Sequence, residues 1–146
     1  MPTAWFTIKG EAEYFTSPAS GVRSDDYVLY VLQLERQSGE WVFVGGYAGE
    51  AVTERRAAVT FSPDRGMAQS LVGRAAYTID PRRSLAFESA VRRAADGVYG
   101  KAEYSEARGN HWRATVTGVV IAGHSDDFLG QYRRNSHIAA AVRYSF

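Results

Sequence analysis

Apolar and polar residues alternate with a period of two along most of this chain, and the alternating stretches are separated by short clusters rich in Gly, Pro, Asn, Asp and Ser. Successive side chains of a strand point to opposite faces, so this pattern belongs to a sheet that separates two environments. Helical periodicity is scarce. The pattern predicts about eight strands, over 4–16, 26–37, 41–53, 69–79, 83–94, 97–107, 111–122 and 134–146. In the first, Phe6, Ile8, Gly10, Ala12 and Tyr14 share one face, while Thr7, Lys9, Glu11 and Glu13 share the other. Strand 69–79 sets Leu71, Gly73, Ala75, Tyr77 and Ile79 against Ser70, Arg74 and Thr78. Strand 97–107 sets Val98, Gly100, Ala102 and Tyr104 against Lys101, Glu103 and Ser105. The last strand puts Ile138, Ala140, Val142, Tyr144 and Phe146 on one side and His137, Arg143 and Ser145 on the other.

Connections of two kinds join these strands. Gln37-Ser38-Gly39-Glu40, Asp80-Pro81-Arg82 and Arg108-Gly109-Asn110 have the residue types of tight turns. Ser17 to Asp25, Glu54 to Ala68 and Gly123 to Arg133 are longer and polar, and Ala95-Asp96-Gly97 is short but falls on their side. Within Gly45-Gly46-Tyr47-Ala48-Gly49 no helix follows the glycines, so they mark a kink or a close approach of strands rather than a phosphate loop.

Tyr144 and Phe146 end the last alternating strand, and this Tyr-x-Phe ending resembles the closing strand of bacterial outer-membrane β-barrel proteins. The resemblance covers about one strand. It implies an all-β, antiparallel, up-and-down transmembrane β-barrel of about eight strands, or the C-terminal part of a larger barrel. Tight turns at one rim and long loops at the other are the periplasmic and extracellular ends of such a barrel. The aromatic residues fit the same reading: Phe6, Trp41, Phe43, Tyr77, Tyr104, Trp112, Tyr144 and Phe146 fall on the apolar face near the tight turns or the chain termini, as a membrane-interface girdle requires. Tyr14, Tyr30 and Tyr47 lie toward the opposite rim. The apolar face is also rich in Gly and Ala, which bury little area.

The opposite face collects Lys9, Arg74, Arg92, Lys101, Arg113 and Arg143 against Glu11, Glu13, Glu35, Glu50, Glu88 and Glu103. Inside an eight-strand barrel these side chains must pair and plug the interior; in a wider ring they would line a water-filled passage. The alternative from another class is a soluble or periplasmic barrel that binds a small ligand, with the aromatic face turned inward and the charges in solvent.

Length, charge and composition narrow this further. The chain has 146 residues, the size of a single domain spanning 1–146. Its 17 Lys+Arg against 16 Asp+Glu give no basic surplus, so nucleic acid is not an expected partner. Cysteine is absent, which excludes disulfides and thiolate chemistry. No apolar run approaches the roughly 20 residues of a membrane-spanning helix. Met1-Pro2-Thr3-Ala4-Trp5 shows no export-signal pattern, which leaves a mature or trimmed chain, part of a longer protein, or a chain outside the membrane. The expected partners are outer-membrane lipid and the barrel-assembly machinery, with a homo-oligomer or a missing N-terminal barrel portion as further possibilities. The expected location is the outer membrane of a Gram-negative-type bacterium.

Chemical motifs are thin, and no cofactor is expected. Ser136-His137 with Asp126-Asp127 contains the residue types of a rim-located membrane hydrolase, yet the spacing is generic and no G-x-S-x-G elbow occurs. Asp25-Asp26 and Asp126-Asp127 have the oxygens to hold a divalent cation, with simple loop solvation the plainer account. His111 and His124 lie toward opposite ends of one strand, too far apart for a shared metal.

Overall fold

The structure, a computed structural model, describes residues 6–16, 24–56, 59, 66–93 and 96–146. Residues 4–5 of the first predicted strand, residue 94 of the fifth, and parts of the connections 17–25, 54–68 and 95–97 lie outside the described residues. Eight strands form: β1 (Thr7–Phe15), β2 (Asp26–Ser38), β3 (Trp41–Glu54), β4 (Ser70–Asp80), β5 (Arg83–Arg92), β6 (Val98–Arg108), β7 (Trp112–Ala122) and β8 (His137–Tyr144). A one-turn helix, α1 (Phe128–Gln131), and a 3-10 turn over Arg133–Asn135 precede β8. Every neighbouring pair is antiparallel and the order in the sheet is the order in the chain, an eight-strand meander. Among the described residues β1 pairs only with β2 and β8 only with β7, so the sheet they form has two edges and is not closed.

Turn chemistry sets the hairpins. Gly39 and Gly109 take left-handed backbone, φ 56° and 62°, at the β2–β3 and β6–β7 turns, where a side chain would be strained. At the β4–β5 turn the Asp80 carboxylate accepts from the backbone N–H of Arg82 and Arg83, at 2.8 and 2.9 Å, closing the loop with its own side chain. The predicted strand 134–146 is shortened at both ends: it stops at Tyr144 rather than Phe146, and it starts at His137 because the chain before it forms α1, capped by Asp127 accepting from the Leu129 N–H, and the 3-10 turn. Ser136 Oγ then ties the end of this segment to β7, accepting from Ile121 N at 2.9 Å.

Register keeps each face intact across all eight strands. On one face a row runs Gly10, Leu32, Tyr47, Leu71, Val91, Val98 and Ala122 by direct pairing. On the other, Arg74, Glu88, Lys101 and Val119 stand side by side. The apolar face is the exposed one: Ile8, Leu32, Leu71, Phe87, Val120 and Ile138 are 49–84 % exposed. Among the described residues the buried apolar side chains are Tyr27, Ala90 and Leu129. Ala90 lies on the charged face, as do the buried Ser70 and Ser105, so what cover exists is on that side.

Candidate functional site

Neighbouring strands carry the charged residues of one face at matching heights, and cross-strand ion pairs result. Arg74 on β4 bonds Glu88 on β5 at 3.0 Å. Lys101 on β6 sits 4.0 Å from Glu88 and 3.1 Å from Glu103, and Glu103 accepts from Thr117 Oγ1 on β7 at 3.5 Å. Charges of alternating sign therefore run through β4, β5 and β6, and a hydroxyl of β7 ends the row, so each of these charges touches one of opposite sign or a hydroxyl. Lys9 pairs with Glu35 at 2.6 Å, and Arg113 donates to Ser105 Oγ at 3.2 Å. Beside the Arg74–Glu88 pair an open groove of about 340 Å³ is lined by Val44, Met67, Val72 and Tyr99.

Three of the expected network residues are not brought into it. Glu11 and Glu13 on β1 and Arg143 on β8 make no ion pair among the described residues, and Arg143 instead stands opposite Arg113. Glu50 does make an interaction within the chain. Arg92 departs from its neighbours in another way: its Nη1 bonds the Asp127 carboxylate, whose other oxygen caps α1. Both side chains are nearly buried, at 15 % and 4 % exposure. Arg92 thereby anchors the Gly123–Asn135 segment to the long-loop end of the charged face. Gly97 and Gly130 make room for it, since a Cβ on Gly97 would meet Asp127 and one on Gly130 would meet the His124 carbonyl.

A second rim clamp joins Asp26 to Arg56, with both carboxylate oxygens accepting from Nη2 at 3.2 and 3.0 Å. Tyr14 and Thr16 hydroxyls reach the same carboxylate at 3.4 and 3.3 Å. The Asp26 bond raises the Arg56 pKa above its ordinary value, so its charge is permanent. Sequence reasoning did not include Arg56, because its partner lies 30 residues away at the other arm of the β2–β3 hairpin; Asp127 had one local signal, an N-cap residue type just before Phe128-Leu129.

Six of the aromatic residues on the apolar face pack in two groups. Trp41 stacks on Phe43 and Tyr77, with centroids 5.4 and 4.6 Å away, and Tyr144 packs against Trp112 and Phe146 at 4.8 and 5.2 Å. Tyr104, opposite Leu85 and Val116, and Phe6 continue this band at the tight-turn end. Toward the other end Tyr30 and Tyr47 stand 6.3 Å apart, and the Tyr30 ring fills the place a Cβ on Gly49 would take.

The residues with hydrolase chemistry are otherwise engaged. Ser136 Oγ bonds backbone groups of Ile121 and Arg133, His137 Nδ1 faces the Asn135 carbonyl at 2.6 Å, and Asp127 is committed to Arg92 and α1. Asp26 and Asp127, named above as oxygen donors for a cation, each hold an arginine, and no cluster of metal-ligating side chains occurs among the described residues. No protein-family model, no curated protein and no solved structure matches the chain.

Proposed function

We propose that this chain is an outer-membrane β-barrel protein, non-enzymatic, whose charged face is a barrel interior locked by cross-strand ion pairs. The observation that carries this reading is the unbroken apolar face across eight strands, exposed from Ile8 on β1 to Ile138 and Val142 on β8. A water-soluble monomer rarely leaves an apolar patch larger than a few hundred Å² uncovered, whereas lipid solvates such a face. The aromatic band at the tight-turn end supports it, because Trp and Tyr favour the level of lipid headgroups. Against the soluble ligand-binding alternative stands the face itself: that reading needs the aromatic side covered, and it is the charged side that carries the cover.

The test is folding in detergent and in lipid vesicles, followed by circular dichroism, by gel mobility with and without boiling, and by tryptophan quenching with lipids brominated at chosen depths. A β-rich, heat-modifiable form that needs detergent or lipid is expected, with bromines near the headgroups quenching Trp41 and Trp112 more than bromines at the chain ends. A monodisperse β-rich protein in plain buffer overturns the proposal and turns attention to a ligand of a soluble sheet.

A further inference from the structure

The two open edges carry complementary unpaired charge on the same face: Glu11 and Glu13 on β1, Arg143 on β8. Unpaired backbone at both edges demands partners, and in lipid the demand is stronger. We propose that β1 and β8 pair with each other, antiparallel, with Glu11 opposite Arg143, closing this chain's own sheet into an eight-strand barrel. The inference rests on the membrane reading above and deepens it by naming the partner of each edge.

Register limits the choice. A line drawn straight across the sheet from Glu11 passes Val31, Ala48, Ser70 and Arg92 by direct pairing. Extended one residue beyond Val91–Val98, one beyond Val98–Ala122 and four beyond Val119–His137, it reaches positions 97, 123 and 133. Closure must therefore slide β8 by an even number of residues from 133, since an odd slide would swap the faces. With about 3.3 Å per residue and about 4.8 Å between strands, slides of eight, ten and twelve give strand tilts of about 35°, 41° and 46°, all near the usual barrel range.

Side chains then select among the three. A slide of eight sets Lys9 against Arg143, two like charges. A slide of twelve leaves Glu11 opposite Ser145 and carries the first half of β8 past Phe15, beyond the end of β1. A slide of ten puts Glu11 opposite Arg143 with Glu13 diagonal to it. On the apolar face the same slide sets Tyr144 over Gly10, Val142 against Ala12 and Tyr14 over Ala140, a large side chain against a small one in each pair.

Cysteine is absent from the chain, so engineered pairs report cleanly. In the full-length chain folded in detergent, Ala12→Cys with Val142→Cys is compared under mild oxidation with Ala12→Cys plus Ala140→Cys and Ala12→Cys plus Tyr144→Cys, which match slides of eight and twelve. The expected result is an intramolecular cross-link in the first pair, formed roughly tenfold faster than in the others because disulfide geometry tolerates little displacement. A faster cross-link in either of the other pairs overturns the register. Cross-linked dimers show that a second copy fills the edge, and absence of any cross-link shows that the edges stay apart; both overturn closure. Bromolipid quenching of the same variants separates the two readings: quenching without the cross-link sinks the closure alone, while a cross-link without quenching sinks the membrane reading.

Discussion

Arg92 and Asp127 form the most covered ion pair among the described residues, and their bond decides whether the segment before β8 stays folded onto the sheet. Asp127→Ala removes the counter-ion of a guanidinium whose Nε already lacks a partner, and removes the cap of α1 as well. Stranding one charge of a buried pair costs about 3 kcal/mol, and the loss is expected as a lowered urea midpoint for unfolding from detergent or vesicles. Asp127→Asn keeps an oxygen for the cap and is expected to fall between the variant and the natural chain. Arg108→Ala serves as the contrast: its contact with Glu106, at the end of β6 beside the tight turn, is 87 % and 36 % exposed, so the midpoint is expected to stay where it was. Two glycines make a similar comparison on the apolar face. A Cβ at Gly49 collides with the Tyr30 ring, whereas a Cβ at Gly45 meets nothing within 4 Å. Gly49→Val is expected to depress the yield of folded, heat-modifiable protein, and Gly45→Val to leave it unchanged; equal yields would mean that Tyr30 does not lie over Gly49.

At the scale of the strand, environment is set by parity. Phe87 and Glu88 are neighbours in β5, yet Phe87 stands among Ala75 and Ala102 on the exposed apolar face, while Glu88 bonds Arg74 on the other. On the membrane reading proposed above, Phe87→Arg in the middle of this exposed apolar row is expected to cost about 2–4 kcal/mol in vesicles, and a cost near zero would place that face in water. This parity is also what made the fold legible. Alternation is written locally, so strand positions, faces and the place of Trp41, Tyr77, Trp112 and Tyr144 on the apolar face could be read with no knowledge of pairing, and the tight turns followed from Gly39, Asp80 and Gly109. What was not legible depends on distant partners. Nothing near Arg92 marks it as the anchor of a helix 35 residues later, and the Asp26–Arg56 clamp spans two strands and a loop. Alternation also grouped Glu11, Glu13 and Arg143 with the network, but these residues lie on edge strands, one neighbour short of the pairing that β4 to β6 supply.

For the molecule as a whole, the question is whether the charged face fills its space or leaves water in it. An eight-strand ring is just wide enough for interior side chains to meet. The Arg74–Glu88–Lys101–Glu103 chain crosses the middle of the sheet, and Arg92 with Asp127 holds α1 at one end of it; in the proposed barrel these are two layers across the same path. In planar bilayers the natural chain is accordingly expected to give no discrete conductance steps. Cutting the middle layer with Arg74→Ala, Glu88→Ala and Lys101→Ala together removes three long side chains without leaving Glu88 stranded, and Asp127→Ala releases the end layer. Neither change alone clears both obstructions, so conductance is expected to appear only when the two are combined. Large steps from the natural chain would instead require a wider ring, built with further strands or further copies, in which the same residues face water and select solutes by their field.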